Sequence, residues 1–519
     1  MTTDSRVDIL EARGLIRLAS IRPELEYLFR HGLVQDAAYT SLLKQERREL
    51  HGRVGVALEE LYPDRADELA PVLAMHFEQA GDAERAIEYY VASAKHALEQ
   101  YAIQEAFGAF DRAANLIAEQ DAAPAAVELS ADEANKRRRR RRIDVDLGRA
   151  EAGYSFRTPE ETFDALARIV EPAEQLGDLE LVGRVHTLIA LERLQNGELA
   201  TDPTVKRSLD RIAEVGKLID DPSLLAVPLA LIGLGNVFAG DVRLGVTQLE
   251  EALPLMQGRQ DTIGPAFARG ALAIGYANLG EFEKADAAAA QATALAGKSD
   301  LIAQLDALIA ESLVHSLKGE LDRAIPLARQ CVQQSAETGA TACMIASSWI
   351  LGDAFYRLGN YAEAQEVLKR GSDVSAVVDR KVWRPTLLAW LGSTMAALGA
   401  ADEGDWEDAL ATARSIGNRV GEAGILAKRA EALVTRGDID AARPDAEAAI
   451  GIMTAFGLRP HLARAQRAWG KALRAAGLAA EAEPHLQKAA TLFDELGLDA
   501  EAKTVRAELA MGQTKIAFD

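Results

Sequence analysis

Cysteine is nearly absent: Cys331 and Cys343 are the two in 519 residues. Two cysteines cannot build a disulfide framework, and they point to a reducing, cytoplasmic setting. Basic charge is in deficit, with 58 Lys and Arg against 79 Asp and Glu, a formal net charge of −21. That balance excludes general affinity for nucleic acid or an anionic membrane. Aromatics are only 5%, but apolar residues reach 49% and charged ones 26%, the composition of a soluble, core-forming chain rather than a disordered one. Met1 to Leu10 has neither the basic nor the apolar region of a secretory signal. The longest uncharged run is the 19 residues from Pro222 to Gly240. It is interrupted by Pro228, by glycines and by Asn236, and reads as a buried helix of a soluble array rather than a membrane span.

Catalytic patterns are missing too. The eight histidines (His31, His51, His76, His96, His186, His315, His461, His485) form no His-x-x-x-His or His-Glu-x-x-His pair, so no metal site is expected. There is no Gly-x-Ser-x-Gly elbow. Residues 292–299, ending Gly297-Lys298-Ser299, fit a relaxed phosphate-loop pattern. Such a loop needs a strand before it to aim its amides at phosphate, and here it follows a helical segment. Neither enzyme activity nor a cofactor is expected.

What is present is a repeat. Gly81, Gly240, Gly280, Gly319, Gly359, Gly404, Gly437 and Gly477 each have an apolar residue two positions on, as in Phe282, Tyr361 and Trp406. Five positions on stands a small residue every time: Ala86, Gly245, Ala285, Ala324, Ala364, Ala409, Ala442 and Ala482. Twelve on, small residues recur, Cys331 among them, with Ile416 the exception. A glycine ends one helix in a left-handed conformation. Positions five and twelve share a face of the next helix, and their size lets two backbones approach. From Gly240 the glycines lie 40, 39, 40, 45, 33 and 40 residues apart, enough for two helices and their turns. Gly197 resembles such a turn but has Asp202 at the fifth position, and Arg157-Thr158-Pro159 replaces the glycine in another unit, with Pro159 near a helix start.

Gly, aromatic, Ala and Ala in this order, as in Leu358-Gly359-Asn360-Tyr361-Ala362-Glu363-Ala364, resemble the tetratricopeptide repeat (TPR) family, over residues 65–510. The family period is about 34, so these units are longer and degenerate. The resemblance implies an all-α, right-handed superhelical solenoid of about 20 helices in which stacking supplies the core. The expected organisation is 1–60, linking helices and a truncated winged-helix remnant; 61–225, degenerate repeats; 226–510, regular repeats; 511–519, a tail.

The first 60 residues differ. Leu15 to Leu18 and Leu25 to Phe29 are strand candidates around Arg22-Pro23, and helices are expected from His31 to Leu43 and through Arg47, Arg48 and His51. The run from Tyr27 to Leu43, with Arg47 to His51, resembles the junction in large bacterial signalling ATPases of the STAND class, where a winged helix meets a TPR array. Those proteins often carry a nucleotide cyclase, and relatives carry a DNA-binding domain. The resemblance implies that this chain is the C-terminal arm of such a regulator, truncated or encoded separately, without the ATPase.

Three surfaces are candidates for binding. Arg464, Arg467, Lys471 and Arg474, spaced 3, 4 and 3, lie on one helix face. They suit acidic peptides or carboxylates, or simply form a solvated face. Equivalent positions in middle repeats are Val227, Leu234, Val237 and Phe238, then Phe267 and Ile274, then Ile309 and Leu313, then Trp349, Asp353, Tyr356 and Arg357. These form a groove for an amphipathic helix or small ligand, or pack as core. The basic run Lys136 to Arg142 is open to an anionic partner, or is a solvated helix paired with acids four residues away. The expected function is partner capture on the concave face of the superhelix, by a sensor or scaffold for a bacterial signalling regulator. The alternatives are a piece of an ATPase-coupled cyclase or transcriptional regulator, or a small-molecule inducer site.

Overall fold

The computed structural model describes residues 3–20, 26–100, 102–122, 132–153, 157–221, 223–256, 263–297, 301–378, 381–400 and 406–516. They fall into two compact units, residues 1–100 with 105–129, and 101–104 with 130–519.

The first unit opens with α1 (Thr3–Ala12) and two strands, β1 (Ile16–Ser20) and β2 (Glu26–Phe29). They pair antiparallel, with Ile16 opposite Phe29 and Leu18 opposite Tyr27, where the sequence suggests strands. Arg22 and Pro23 lie outside the described residues. Helices α2 (Gly32–Ser41), α3 (Lys44–Leu61), α4 (Ala66–Ala80), α5 (Ala83–Glu99) and α6 (Ile103–Ala122) follow. The turn after α4 shows the repeat at work. Gly81 adopts φ 84° and closes the helix through its N–H to the Glu78 and Phe77 carbonyls. Asp82 then caps α5 by accepting from the Arg85 amide at 3.2 Å. Leu73, Phe77, Ala86, Ile87, Ala94, Phe110 and Ala113 form the core of this part, each at most 3% exposed.

The second unit is a TPR-like array of antiparallel helix pairs. They are α7 (Asp132–Gly153) with α8 (Pro159–Leu176), α9 (Leu179–Gln195) with α10 (Pro203–Leu218), and α11 (Ser223–Ala239) with α12 (Val242–Leu255). Then come α13 (Ile263–Leu279) with α14 (Phe282–Ala296), α15 (Leu301–Lys318) with α16 (Leu321–Thr338), and α17 (Thr341–Leu358) with α18 (Tyr361–Val377). The last are α19 (Arg384–Ala397) with α20 (Trp406–Ser415), α21 (Arg419–Thr435) with α22 (Ile439–Ala455), α23 (Arg459–Ala475) with α24 (Ala479–Glu495), and α25 (Asp499–Ile516). No helix among the described residues is long and apolar enough to cross a membrane. Lys298 and Ser299 of the phosphate-loop pattern and Gly404 lie outside the described residues.

The seven described turn glycines all have φ between 79° and 104°. The small residues beyond them are buried except Ser93, and Ala285, Ala324, Ala364, Ala442, Ala252, Ala292, Cys331 and Ala449 are fully so. A Cβ on Gly245 would stand 2.8 Å from the Val237 amide nitrogen of the partner helix, so the α11–α12 crossing is backbone on backbone. Leu249 and Leu305, with no exposed surface, fill the space between such crossings. Truncating either to Ala costs about 2–5 kcal/mol. The departures in the repeat have local reasons. Asp202 accepts from the Thr204 and Val205 amides and caps α10. Thr158 and Glu161 form a capping box, with Pro159 in the first turn of α8.

Candidate functional site

The odd-numbered helices from α11 to α23 form one layer of the second unit, each touching the next odd-numbered helix. The layer also closes on itself: α11 touches α21, and α13 and α15 both touch α23. The turn glycines make this closure. A Cβ on Gly240 would lie 3.0 Å from the Arg419 Cβ and 3.3 Å from the Phe456 ring. One on Gly280 would run into Leu496, and one on Gly319 into Glu501. Polar bonds cross the same line: His461 pairs with the Asn278 side chain at 2.9 Å, and Arg464 donates to the Leu317 carbonyl at 2.7 Å.

This layer gathers most of the aromatic and charged residues singled out in the sequence. Phe238 meets Trp383 edge-on at 4.9 Å between ring centroids, and Trp383 stacks on Trp349 at 5.8 Å. Trp349 in turn meets Trp390 edge-on at 5.9 Å. Trp390 Nε1 donates to Asp353 at 2.8 Å, and Arg357 stands 3.6 Å from the same carboxylate. Arg357 also donates to the Ser316 carbonyl at 2.7 Å. Tyr356 donates to Glu431 at 3.0 Å and receives a hydrogen bond from Ser393 at 3.0 Å. Lys428, 8% exposed, lies 4.1 Å over the Tyr356 ring and donates to Glu431 at 2.9 Å.

The electrostatics follow from these contacts. Burial would raise the Asp353 pKa, but the Arg357 and Lys428 charges and the Trp390 N–H outweigh it and hold the carboxylate below its ordinary value. Burial would lower that of Lys428, and Glu431, Tyr356 and Asp353 overturn that as well, so the ammonium is held charged. Tyr356 is pushed up to about 12 by burial and the Glu431 charge. His461 is pushed down to about 4 by burial and by Arg464. The result is a part-buried strip of fixed charges, Asp353 matched by Arg357 and Lys428 by Glu431, between aromatic walls.

The basic stripe is placed differently from a free binding face. Arg467 forks onto Glu508 at 2.7 and 3.1 Å, Arg474 donates to the Glu508 carbonyl, and Arg464 stands 3.7 Å from Glu501. The acids of α25 thus pair with Arg464, Arg467 and, at 3.9 Å, Lys471, whose side chain is 57% exposed, while Arg474 is held by a backbone carbonyl. Phe267 is also apart, packed against Leu209, Ile212 and Leu231. Val237, Ile274, Ile309 and Leu313 are core, less than 9% exposed, and the Val227 side chain lies outside those described. Sequence reasoning missed Trp383, Trp390, Ser393, Lys428, Glu431, Glu501 and Glu508. Spacing held a signal: Trp390 lies 37 residues after Asp353, Ser393 37 after Tyr356 and Glu508 41 after Arg467, one repeat in each case.

Beside Phe238, where the α9–α10 turn meets the α20–α21 turn, Leu199, Asn236, Val382, Ile416 and Asn418 help enclose a cavity of ≈ 60 Å³. A drug-sized ligand needs roughly 300 Å³ or more. Cys331 is pushed up to about 11 by burial, and burial also holds Cys343 well above the ordinary thiol value, so neither offers a thiolate. Among the described residues no three His, Cys, Asp or Glu side chains are grouped to hold a metal. In the basic run, Arg140 pairs with Asp144 and Arg142 with Asp146, four residues on, while Arg137, Arg138 and Arg139 are exposed.

No family model matches this chain. No curated protein matches it in sequence. Among solved structures, a Rap protein complexed with Competence and Sporulation Factor is similar at TM-score 0.45 and 14% identity, over 72% of this chain and 98% of that one. A STAND-class signal-transduction ATPase with a tetratricopeptide repeat sensor, from Pyrococcus horikoshii, is similar at TM-score 0.42 and 17% identity. The match covers 73% of this chain and 56% of that ATPase, little more than half its length. Aspartyl phosphate phosphatase F from Bacillus subtilis is similar at TM-score 0.40 and 13% identity, over 71% and 94%. Likeness at this level is one of general architecture and assigns no residue a role.

Proposed function

We propose that this chain is the interaction and sensor module of a bacterial, cytoplasmic signal-transduction regulator, and that it captures a protein or peptide on the inner helix layer of its TPR-like array. The observation that carries the reading is the strip from Phe238 and Trp349 through Asp353, Tyr356 and Arg357 to Lys428 and Glu431. Buried charge pairs stabilise a fold no better than well-packed apolar residues would, and often less well. A strip of them is better suited to recognition than to stability. Its hydrogen bonds are also of a kind that a peptide can replace. A peptide carboxylate fits Arg357 or Arg464, and a peptide amide fits Asp353. Arg467, Lys471 and Arg474 extend the strip toward an acidic partner wherever α25 yields Glu501 and Glu508. Release of the bonds at Asn278 and Leu317 would then loosen the closure and pass the event along the array, the two-state element the mechanism requires.

The test is affinity capture from source-cell extract with the wild-type chain, Trp349→Ala and Tyr356→Phe/Asp353→Asn. A partner held by the wild type and lost, at least tenfold, by the variants supports the reading. A partner held equally by all three discards it. A second reading rests on the run Tyr27 to Leu43 with Arg47 to His51. In it the array regulates an ATPase-coupled cyclase or a transcription factor whose catalytic domains lie upstream. The mass recognised by an antibody in source cells tests that: 55.8 kDa favours a stand-alone adaptor and a much larger band the fused regulator. A small-molecule inducer in the groove is a third reading, in which the ≈ 60 Å³ cavity beside Phe238 enlarges. A ligand-dependent rise in Tm would support it.

A further inference from the structure

The basic stripe of α23 already has an occupant, and the match between the two is incomplete in an informative way. α25 leans on α24, where Ala502 and Val505 are fully buried, and its backbone hardly approaches α23. Charged side chains span the space between. Arg464 stands 3.7 Å from Glu501, and Lys471 stands 3.9 Å from Glu508. Both pairs are 37 residues apart, so two bases seven apart meet two acids seven apart, and the two helices run parallel. The same offset carries Arg467 to Thr504 and Arg474 to Met511, neither of them an acid. Arg467 turns instead to Glu508, which it shares with Lys471. Arg474 takes only the Glu508 backbone carbonyl, and its Nη2 is buried with no hydrogen-bond partner among the described residues.

These offsets describe the ligand that would fit. A guanidinium nitrogen buried without an acceptor is costly, and one carboxylate shared by two bases answers neither fully. A helix with acids at all four places, spaced 3, 4 and 3 as the bases are, gives each base its own carboxylate and a charge-assisted bond. Small apolar residues at the places of Ala502 and Val505 would seat it on α24 as α25 is seated. The charge of α23 favours the same class. From Arg459 to Ala475 it holds five bases and no acid, in a chain of net charge −21. An acidic helix is repelled by most of such a surface and drawn to this one helix.

We propose that the α23 stripe docks a partner helix whose acids are spaced 3, 4 and 3, and that α25 is its half-matched internal occupant, displaced when that helix binds. The proposal rests on capture at the inner layer and gives the partner its chemistry. The probe is a fluorescent peptide with the sequence of residues 498–514 carrying Thr504→Glu and Met511→Glu, and the unaltered sequence is the control. By fluorescence anisotropy, the full wild-type chain should bind the altered peptide about tenfold or more tightly than the control. Arg467→Ala with Arg474→Ala in the chain should abolish that preference while its helical circular dichroism stays the same. Glu501→Gln with Glu508→Gln loosens α25, and should raise affinity for the altered peptide by about tenfold. Binding should also speed hydrogen exchange in residues 502–510 and leave α24 unchanged. Equal binding of the two peptides, or a preference that survives loss of both arginines, overturns the site. Affinity unmoved by the glutamine variant, or exchange in 502–510 unmoved by the peptide, overturns the displacement of α25. A cellular partner lost by Trp349→Ala but kept by the arginine variant leaves the capture standing and refutes this site alone.

Discussion

Closure of the helix layer makes a prediction that a plain row of repeats would not. Gly197 and Gly437 both end a helix in the left-handed region, with φ 93° and 86°. Alanine at either position costs about 1–2 kcal/mol for that conformation alone. Their surroundings differ. Nothing lies within 4 Å of a Cβ built on Gly437, whereas one on Gly197 would stand 2.9 Å from the Cβ and 3.0 Å from the Cδ1 and Cγ2 of Ile416. Ile416 belongs to a turn some 220 residues further along, and its branched side chain has little rotamer freedom with which to retreat. Overpacking of this kind adds about 1–3 kcal/mol. Gly197→Ala should therefore cost about 2–5 kcal/mol and Gly437→Ala about 1–2. A single unfolding midpoint is a poor readout for an array that opens piecewise, so native-state hydrogen exchange is the assay. The difference of about 1–3 kcal/mol converts to exchange faster by about 5- to 150-fold, in peptides spanning residues 196–202 and in those spanning 412–420. Gly437→Ala should loosen neither. If Gly197→Ala speeds exchange in its own turn and leaves 412–420 untouched, the two turns are not packed together and the closed layer is wrong.

Other consequences are simpler to check. Replacing Lys428 by Met leaves the Asp353 and Glu431 carboxylates without their shared cation, and should lower stability by about 3 kcal/mol. Thermal unfolding measures this, and adding Glu431→Gln should return part of the loss. His461 titrates near 4 in the folded chain, below the 6.5 of an ordinary imidazole. Between those values the unfolded chain binds more protons, so the contribution of His461 is complete above pH 6.5 and is lost as pH falls toward 4. His461→Gln should flatten that part of the stability profile. The downward-shifted His51, His76, His186 and His485 keep a residual slope of the same sign. Cys331 and Cys343 should not react with a thiol reagent at pH 8 until the chain is unfolded, when both should; native reaction of either would refute its burial.

Helices, pairings and turn positions were legible because each rests on residues close in sequence. Gly359, Tyr361 and Ala364 specify a turn and a helix face within six positions, and the structure places a left-handed glycine and a buried alanine there. The placement of charge was harder to read because it depends on two longer distances. One is the repeat itself. Arg467 reads as a free base on its own helix and becomes paired only when Glu508, 41 residues on, stacks beside it. A search for opposite charges 34 to 41 residues apart would have found that pair, and Arg211 with Glu174 as well. The other distance is that of the layer's closure, which joins Asn278 to His461 across 183 residues and Leu317 to Arg464 across 147. No local pattern encodes it, because the angle between successive pairs is set by many small crossings acting together. Its trace in sequence is a glycine that does more than its turn requires. Gly240, Gly280 and Gly319 look the same as Gly359, Gly437 and Gly477, yet only the first three also lack room for a Cβ. Left-handed backbone favours glycine at all six, and at three a later turn of the array also stands close, through the Arg419 Cβ at Gly240 and through the side-chain ends of Leu496 and Glu501 at Gly280 and Gly319. Tolerance to substitution should therefore divide these otherwise equivalent positions, with asparagine, the next best left-handed residue, accepted at Gly359, Gly437 and Gly477, least tolerated at Gly240 against the Arg419 Cβ and the Phe456 ring, and intermediate at Gly280 and Gly319, where a side-chain end must move.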